Sequence, residues 1–494
     1  MNAPERFDVI VAGYGPTGAT LAARLGQFGI STLVLEKDAD VYPFPRAAHF
    51  DHEIMRVWQR LGIAEAILPE TRPIGAYEFR NAKGEVLMRF GEQAETVSGW
   101  RSSYMFHQPA LEYLLRAAVA RLSSVQVRLE TALDGIVRRD ADCVAVRYRG
   151  AAGEGVAEAR FLIACDGAAS PVRKALGIGQ FDYAFDEPWL VIDTIAEAGG
   201  DALPQIGLQH CNPARPTTFM PMSPGRYRWE FMIRPDERPE AMLDEARIVG
   251  LLAPWSEKTQ LRVDRKAVYR FHGLVAKEWR AGPVLLAGDA AHQMPPFMGQ
   301  GLCSGVRDAE NLAWKLAAVL RGEAGDALLD TYQVEREPHV RAIIEGAIFM
   351  GRVVCTLDPE AAAARDAQML AARSEAEAAA IPPLPALKGG AFLDTPLAGT
   401  LAPQSRPDAQ GVWGDAAWGP GFVFVGDAAA AKSVVWPVPV RVVDAASDPS
   451  AAPMQAALAA AGASGALVRP DRTIFGTGEA GALALALTAA LRGG

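Results

Sequence analysis

Hydrophobic and polar positions follow three textures along the chain. Phe7 to Val11 is a near-continuous apolar run, Gly18 to Phe28 has helical spacing, and Ser31 to Leu35 is apolar again before Glu36. Unbroken apolar strands belong to parallel sheets covered on both faces, so residues 7–37 predict a βαβ unit. The pattern next predicts a helix over 107–122, alternating strands over 125–149 and a buried strand from Ala159 to Ala164 that ends at Asp166-Gly167. From about 180 to 275 alternation dominates (Trp189 to Thr194, Tyr227 to Ile233, Arg262 to Phe271), which predicts an antiparallel sheet. Parallel-sheet texture returns with Val284 to Ala287, and long helices are predicted over about 308–320 and 326–380. Ile381-Pro-Pro-Leu-Pro385 reads as a linker. Short strands (Gly421 to Val425, Val438 to Val443, Ala466 to Phe475) then alternate with Ala-rich helices (Ala451 to Ala461, Ala480 to Leu491). No convincing internal repeat is visible.

These textures predict an α/β protein in which a nucleotide-binding fold (1–180) is interrupted by a mainly antiparallel sheet (181–275). The fold returns with long helices over 276–380, and a small α/β domain occupies 390–494. Composition narrows the class. Half of the 494 residues are hydrophobic and 22% are charged, enough for a sizeable core, while a net charge of −9 argues against nucleic-acid binding. Met1 to Asp8 leads directly into a strand, and no apolar run approaches the roughly 20 residues of a bilayer span. Five cysteines without a Cys-x-x-Cys pair fit a reducing compartment and no dithiol centre. The expectation is a cytoplasmic protein without a membrane or nucleic-acid partner.

Gly13-Tyr-Gly15-Pro-Thr-Gly18 lies between a predicted strand and helix, with Glu36 at the end of the following strand. The first glycine makes the tight turn, the second admits a pyrophosphate, and the third lets helix and strand pack closely; the acid would accept from a ribose. Gly476-Thr-Gly478-Glu-Ala-Gly481 has the same glycines but no room for a second strand and acid, and Gly426-Asp427 lacks a following glycine loop. Both are assigned to structure. Gly288-Asp289 also follows a buried strand, with Pro295 and the Gly299-Gln-Gly301 loop behind it. Asp289 is either a helix N-cap or a partner for a polyol hydroxyl. Glycines in that loop let backbone N–H groups reach a ring carbonyl, and the helix dipole behind them would stabilise a reduced flavin. The paired motifs point to FAD held from both ends. A second complete βαβ fingerprint is missing, so a nicotinamide reductant would visit transiently. No metal spacing occurs among the seven histidines, which read as packing or surface groups, and no Gly-x-Ser-x-Gly elbow is present.

Three motifs resemble the FAD-dependent aromatic hydroxylases of the para-hydroxybenzoate hydroxylase type: Gly13-x-Gly15-x-x-Gly18 with Glu36, Cys165-Asp166-Gly167-Ala-Ala-Ser170-x-x-Arg173, and Gly288-Asp289-Ala-Ala-His292 with Pro295 and Gly299-Gln-Gly301. The likeness covers about residues 5–350. Tyr42-Pro-Phe-Pro-Arg46-Ala, Cys211-Asn-Pro-Ala-Arg215-Pro, Trp229-Glu-Phe-Met232 and Asp308-x-x-Asn311-Leu-Ala-Trp-Lys315 resemble the 3-(3-hydroxyphenyl)propionate hydroxylase branch most closely. The resemblance implies a Rossmann-like FAD-binding fold of the glutathione reductase type, with the inserted sheet as substrate domain and a thioredoxin-like C-terminal domain lacking its cysteines.

It also implies a reaction: NAD(P)H reduces FAD, O₂ adds at the flavin C4a, and the hydroperoxide passes oxygen to a small phenolic substrate. Gly13, Gly15, Pro16, Thr17, Gly18, Glu36, Lys37, Arg46, Gln108 and Leu133 would line the cofactor. Asp166 would lie near the pyrophosphate, Gly288 and Asp289 on the ribityl chain, and Gly299, Gly301 and Leu302 at the pyrimidine edge. Pro295 would sit where ring and substrate meet. Asp51 falls where a phenol-activating acid is found in the family, and equally where an N-cap is needed for a helix from His52. Cys303 stands where relatives carry asparagine. A phenolic acid is the substrate expected, with Arg215, Arg226 or Arg228 to meet its carboxylate, in a monomer or homodimer. The alternatives are a polyketide-tailoring hydroxylase or Baeyer–Villiger oxygenase on the same scaffold, or a flavin-binding sensor.

Overall fold

A computed structural model describes residues 4–151, 153–372, 379–380 and 384–493. Its first sheet runs Arg280–Ala281, Val284–Leu286, Gly153–Ala164, Glu5–Ala12, Thr32–Leu35, Val125–Arg128, with Val144–Gly150 antiparallel to Gly153–Ala164 and Thr131–Arg139 antiparallel to Val144–Gly150. Val9 lies opposite both Phe161 and Thr32, and Leu162 opposite Val284, all in parallel. The strands are buried along their apolar runs, as the texture requires. Because they are parallel, Gly13, Glu36, Asp166 and Gly288-Asp289 all emerge at one carboxyl edge, where open α/β sheets bind ligands.

The second sheet is longer than the alternation alone predicts. Among the described residues it has nine strands, centred on Gln180–Ala198, Arg226–Met232 and Gln260–Ala276. Two of them, Ala76–Asn81 and Val86–Gly91, come from the first 180 residues and join through parallel pairing of Ala76–Asn81 with Gly207–Cys211. Leu190, Ile192, Phe219 and Trp229 pack on one face with the helix Glu245–Ser256. Trp189 and Phe271 on the other face meet Phe297 of the glycine loop.

Four helices position the site: α1 (Pro16–Gln27), α2 (His52–Arg60), α3 (Gly301–Leu320) and α4 (Thr331–Val354). The helix predicted over 326–380 is in fact interrupted. A 3₁₀ turn covers Asp326–Asp330, α4 ends at Val354, and Pro359–Ala372 restarts where Asp358 accepts from the Ala361 amide at 2.7 Å. Residues 373–378 and Ile381 to Pro383 of the expected linker lie outside the described residues.

The terminal sheet orders Val440–Asp444, Phe422–Gly426, Ala466–Val468, Ile474–Thr477, with the first pair parallel and the others antiparallel. That is a thioredoxin-like arrangement. The single strand predicted over Ala466 to Phe475 is a hairpin, turned at Arg472 with φ +67°. The sheet is joined to the FAD-binding fold by buried charge: Arg56 on α2 clasps Asp415 with two bonds of 2.7 Å, and Arg472 approaches the same carboxylate at 2.9 Å. Among the described residues no helix is long and apolar enough to cross a membrane, and no cluster could hold a metal ion.

Candidate active site

The glycines of the first motif differ in what surrounds them. Gly13 has φ +97°, and a Cβ there would stand 2.3 Å from the Cys165 carbonyl oxygen. A Cβ on Gly18 would lie 2.1 Å from the Gly13 carbonyl oxygen, so these two serve the fold itself. Gly15 faces open space with nothing within 4 Å of its missing Cβ. Behind it α1 begins with Pro16 and has no side-chain cap, which leaves its first amides for an anion. Thr17 packs against Gly288 and Gly305, joining the two motifs. Glu36 accepts from the amides of Tyr14 (2.7 Å) and Asp38 (3.0 Å) and stays at the rim. Lys37 is exposed and paired with Asp38, and Leu133 is half-buried on its strand.

Gln108 is occupied by the protein. Its oxygen accepts from the amides of Arg46 (3.0 Å) and Ala47 (2.6 Å), and its nitrogen donates to Glu112 at 2.7 Å. It therefore shapes the loop carrying Arg46, whose guanidinium lies 4.7 Å over the Tyr42 ring with no carboxylate partner among the described residues. Asp166 accepts from the Val172 amide at 3.0 Å through one oxygen, while its other oxygen is buried without a partner. Burial raises its pKa.

The second motif is held from behind. Asp308 on α3 accepts from the Gly288 amide (3.0 Å), His292 (2.7 Å) and Arg336 on α4 (2.9 Å). Burial works against its charge, but His292 and Arg336 more than offset this and hold its pKa down. Gly288, at φ +60°, turns the chain so that Asp289 faces the cleft, where its carboxylate has no partner among the described residues. Gly299, at φ +63°, precedes α3, which starts at Gly301-Leu302 without a side-chain cap. Cys303 is buried, its thiol toward the Gly299 carbonyl at 3.7 Å. Two uncapped helix starts, an unpartnered guanidinium, a cleft-facing carboxylate, an orphaned Asp166 oxygen and open space at Gly15 together fit a dinucleotide of FAD's length and charge.

Beside the glycine loop lies a cavity of about 1000 Å³, walled by Tyr77, Phe79, Met105 and Met220 and bounded by Pro296 to Gln300. Pro295 is buried behind that loop, and Pro296 takes the lining position. Asp51 caps α2: one oxygen accepts from the amides of Glu53 (3.1 Å) and Ile54 (3.2 Å). The other accepts from Arg307 (2.6 Å) and Gln300 (3.1 Å). Burial alone would raise its pKa, yet the charges of Arg307 and His52 hold it far below the ordinary range. Next to it, His52 faces the cavity. Its Nδ1 lies 3.0 Å from Ser98 Oγ, and its Nε2 has no partner among the described residues. His49 is committed to the Gly299 carbonyl (3.1 Å) and Ser103 (2.8 Å). Arg307 and His52 are site residues that the motifs do not announce.

Residues 6–347 match the model of a family described as FAD binding domain. The chain belongs to this FAD-binding family. Within it, 387 residues are 41% identical to a probable NADH-specific resorcinol 4-hydroxylase of Rhodococcus jostii, covering 78% of this chain and 73% of that one. A 3-(3-hydroxy-phenyl)propionate/3-hydroxycinnamic acid hydroxylase of Mycolicibacterium smegmatis is 38% identical over 371 residues, 74% of this chain and 64% of that one. The matched stretch is thus about two-thirds to three-quarters of those relatives' length. Aklavinone-11 hydroxylase, solved with FAD and aklavinone, superposes with a TM-score of 0.81 at 27% identity, over 99% of this chain and 100% of the other. This member of the FAD-binding family is accordingly a flavoprotein oxidoreductase with FAD as its cofactor.

Proposed function

We propose that the enzyme is a single-component monooxygenase that uses NAD(P)H and O₂ to hydroxylate a phenol next to its hydroxyl group. The observation that carries this reading is the position of the apolar cavity. It opens on the Pro296–Gln300 loop, directly before the uncapped start of α3, so a ring bound there would meet the reactive end of the cofactor. The relatives named for resorcinol and hydroxyphenylpropionate hydroxylation support it.

Bound FAD, once reduced by NAD(P)H, would activate O₂ so that one oxygen atom enters the ring and the other leaves as water; the chain's own residues bind, orient and move protons. The amides of Gly15, Thr17 and Gly18 would take the pyrophosphate with Arg46, Glu36 would take the ribose, and Asp289 the ribityl hydroxyls. The first amides of α3, at Gly301 and Leu302, stabilise negative charge at the pyrimidine edge. Phe79, Met105 and Met220 exclude water around the ring. His52 Nε2 draws the phenol proton, which makes the ring a better nucleophile, and the neighbouring Asp51 carboxylate stabilises the imidazolium that forms. Asp51 itself, with both oxygens engaged and its pKa depressed, serves by its charge.

The test is oxygen transfer. Purified yellow protein should consume NAD(P)H faster when a phenol is added and release a catechol-type product labelled from ¹⁸O₂. If no phenol in a broad panel accelerates consumption, the proposal is wrong.

A further inference from the structure

The cavity's charges bear on which phenol enters. Two guanidinium groups line it, and neither has a free donor nitrogen. Arg307 gives Nε to Glu53 (2.6 Å), Nη1 to Gln300 (3.0 Å) and Nη2 to Asp51 (2.6 Å). Arg336 gives Nε to Asp308 (2.9 Å) and Nη2 to the Ser304 carbonyl (3.2 Å), and its Nη1 meets His339 Nδ1 at 3.0 Å.

The first cluster sets two carboxylates against one guanidinium, with the His52 imidazole beside them, so the wall beside the glycine loop carries no excess of positive charge. Glu95 adds another carboxylate to the lining, at an exposed position where it pairs with Arg406 at 2.7 Å. The middle-sheet arginines expected to meet a substrate carboxylate are all engaged elsewhere. Arg215 binds Glu237, Arg226 binds Asp264 at 2.8 Å, and Arg228 binds Asp193 at 2.7 Å. None of them lines the cavity.

A carboxylate entering this space would leave water, meet no guanidinium nitrogen that is not already bonded within the lining, and face Asp51 and Glu53. An uncharged hydroxyl group leaves water at much lower cost and meets no charge repulsion. It can donate to His52 Nε2 or share the carboxylate oxygens as acceptors.

We infer that the substrate is a neutral phenol, such as a di- or polyhydroxylated ring or a larger uncharged aromatic, and not a phenolic acid. The inference rests on the hydroxylase reading above and narrows its substrate class.

The test compares 3-(3-hydroxyphenyl)propionate with its primary amide, which keeps ring and chain length and removes the charge, alongside resorcinol. Dissociation constants come from the change in flavin absorbance of the oxidised, FAD-loaded full chain, and NAD(P)H consumption is followed separately. The amide and resorcinol should bind at least tenfold more tightly than the acid. Replacing Glu53→Gln, which keeps an acceptor for Arg307 Nε but removes one of the two negative charges beside it, should narrow the acid–amide gap severalfold. An acid that binds as tightly as its amide in the unmodified protein overturns the inference while leaving the hydroxylase reading standing. If no phenol of either kind perturbs the flavin or speeds consumption, both fall together.

Discussion

Asp289 and Asp427 occupy the same step, a Gly-Asp pair directly after a buried strand, and differ in where the carboxylate goes. Asp427 accepts from the amides of Ala429 (2.8 Å) and Ala430 (3.1 Å) and caps a short helix, whereas Asp289 caps nothing and faces the cleft. The pair provides an internal control. Asp289→Ala should weaken FAD binding at least tenfold, read by flavin retention on dilution, without lowering the melting temperature of the apoprotein. Asp427→Ala should cost about 1 kcal/mol of stability, a typical N-cap loss, and leave flavin content unchanged.

Gly13 and Gly15 of the first motif separate fold from ligand in the same manner. Gly13→Ala places a methyl group against the Cys165 carbonyl at a left-handed φ, and should reduce soluble, folded protein. Gly15→Ala meets nothing within 4 Å, so the apoprotein should melt normally while FAD affinity drops. Loss of folding in Gly15→Ala would show that the glycine serves packing and not the pyrophosphate.

His52→Ala should lower the rate of hydroxylation about 10²-fold, the usual order for removal of a general base, with FAD still bound. Phenol binding, read from the flavin spectrum, should change little. Asp51→Asn should act differently: it retains hydrogen-bonding atoms but removes the charge beside His52 and Arg307, so the rate should fall less and the cap should weaken. A His52 variant with an unchanged hydroxylation rate would remove that residue from the reaction.

Acid should unfold the protein partly through Glu335. This carboxyl is fully buried, which by itself would raise its pKa, but Arg469 and Lys315 lower it from 4.5 to about 2. Lys315 remains charged at neutral pH although burial brings it down to about 8. A depressed carboxyl pKa stabilises the fold above the unfolded value and ceases to do so as pH falls through the folded one. The contribution is therefore lost between about pH 4.5 and 2. Denaturant titrations across that window should give a slope that is shallower by up to one proton, about 1.4 kcal/mol per pH unit, in the double variant Glu335→Gln with Lys315→Met.

The βαβ unit, the carboxyl-edge grouping of Gly13, Glu36, Asp166 and Asp289, and the terminal α/β sheet were all legible, because each follows from a local period or a short motif. The residues that give the cavity its chemistry were not. Arg307 meets Asp51 across 256 positions, and Ser98 reaches His52 across 46. Such pairings exist only after the two sheets have closed on each other, so no spacing announces them. Asp51 was legible as both cap and acid, and its depressed pKa comes from Arg307, a partner that local sequence does not reveal. Ala76–Asn81 escaped for a related reason: its place in the middle sheet depends on pairing with Gly207–Cys211, far along the chain.

The clasp between Arg56 and Asp415 bears on any attempt to shorten this enzyme. Both side chains are only 2% exposed, so removing the Asp415 carboxylate by a single substitution would leave a buried guanidinium with nothing to neutralise it, a loss on the order of 3–5 kcal/mol. Since α2 also carries His52 at its first turn, an edit made hundreds of positions away would be felt at the mouth of the reaction chamber. What looks like a dispensable tail is a brace.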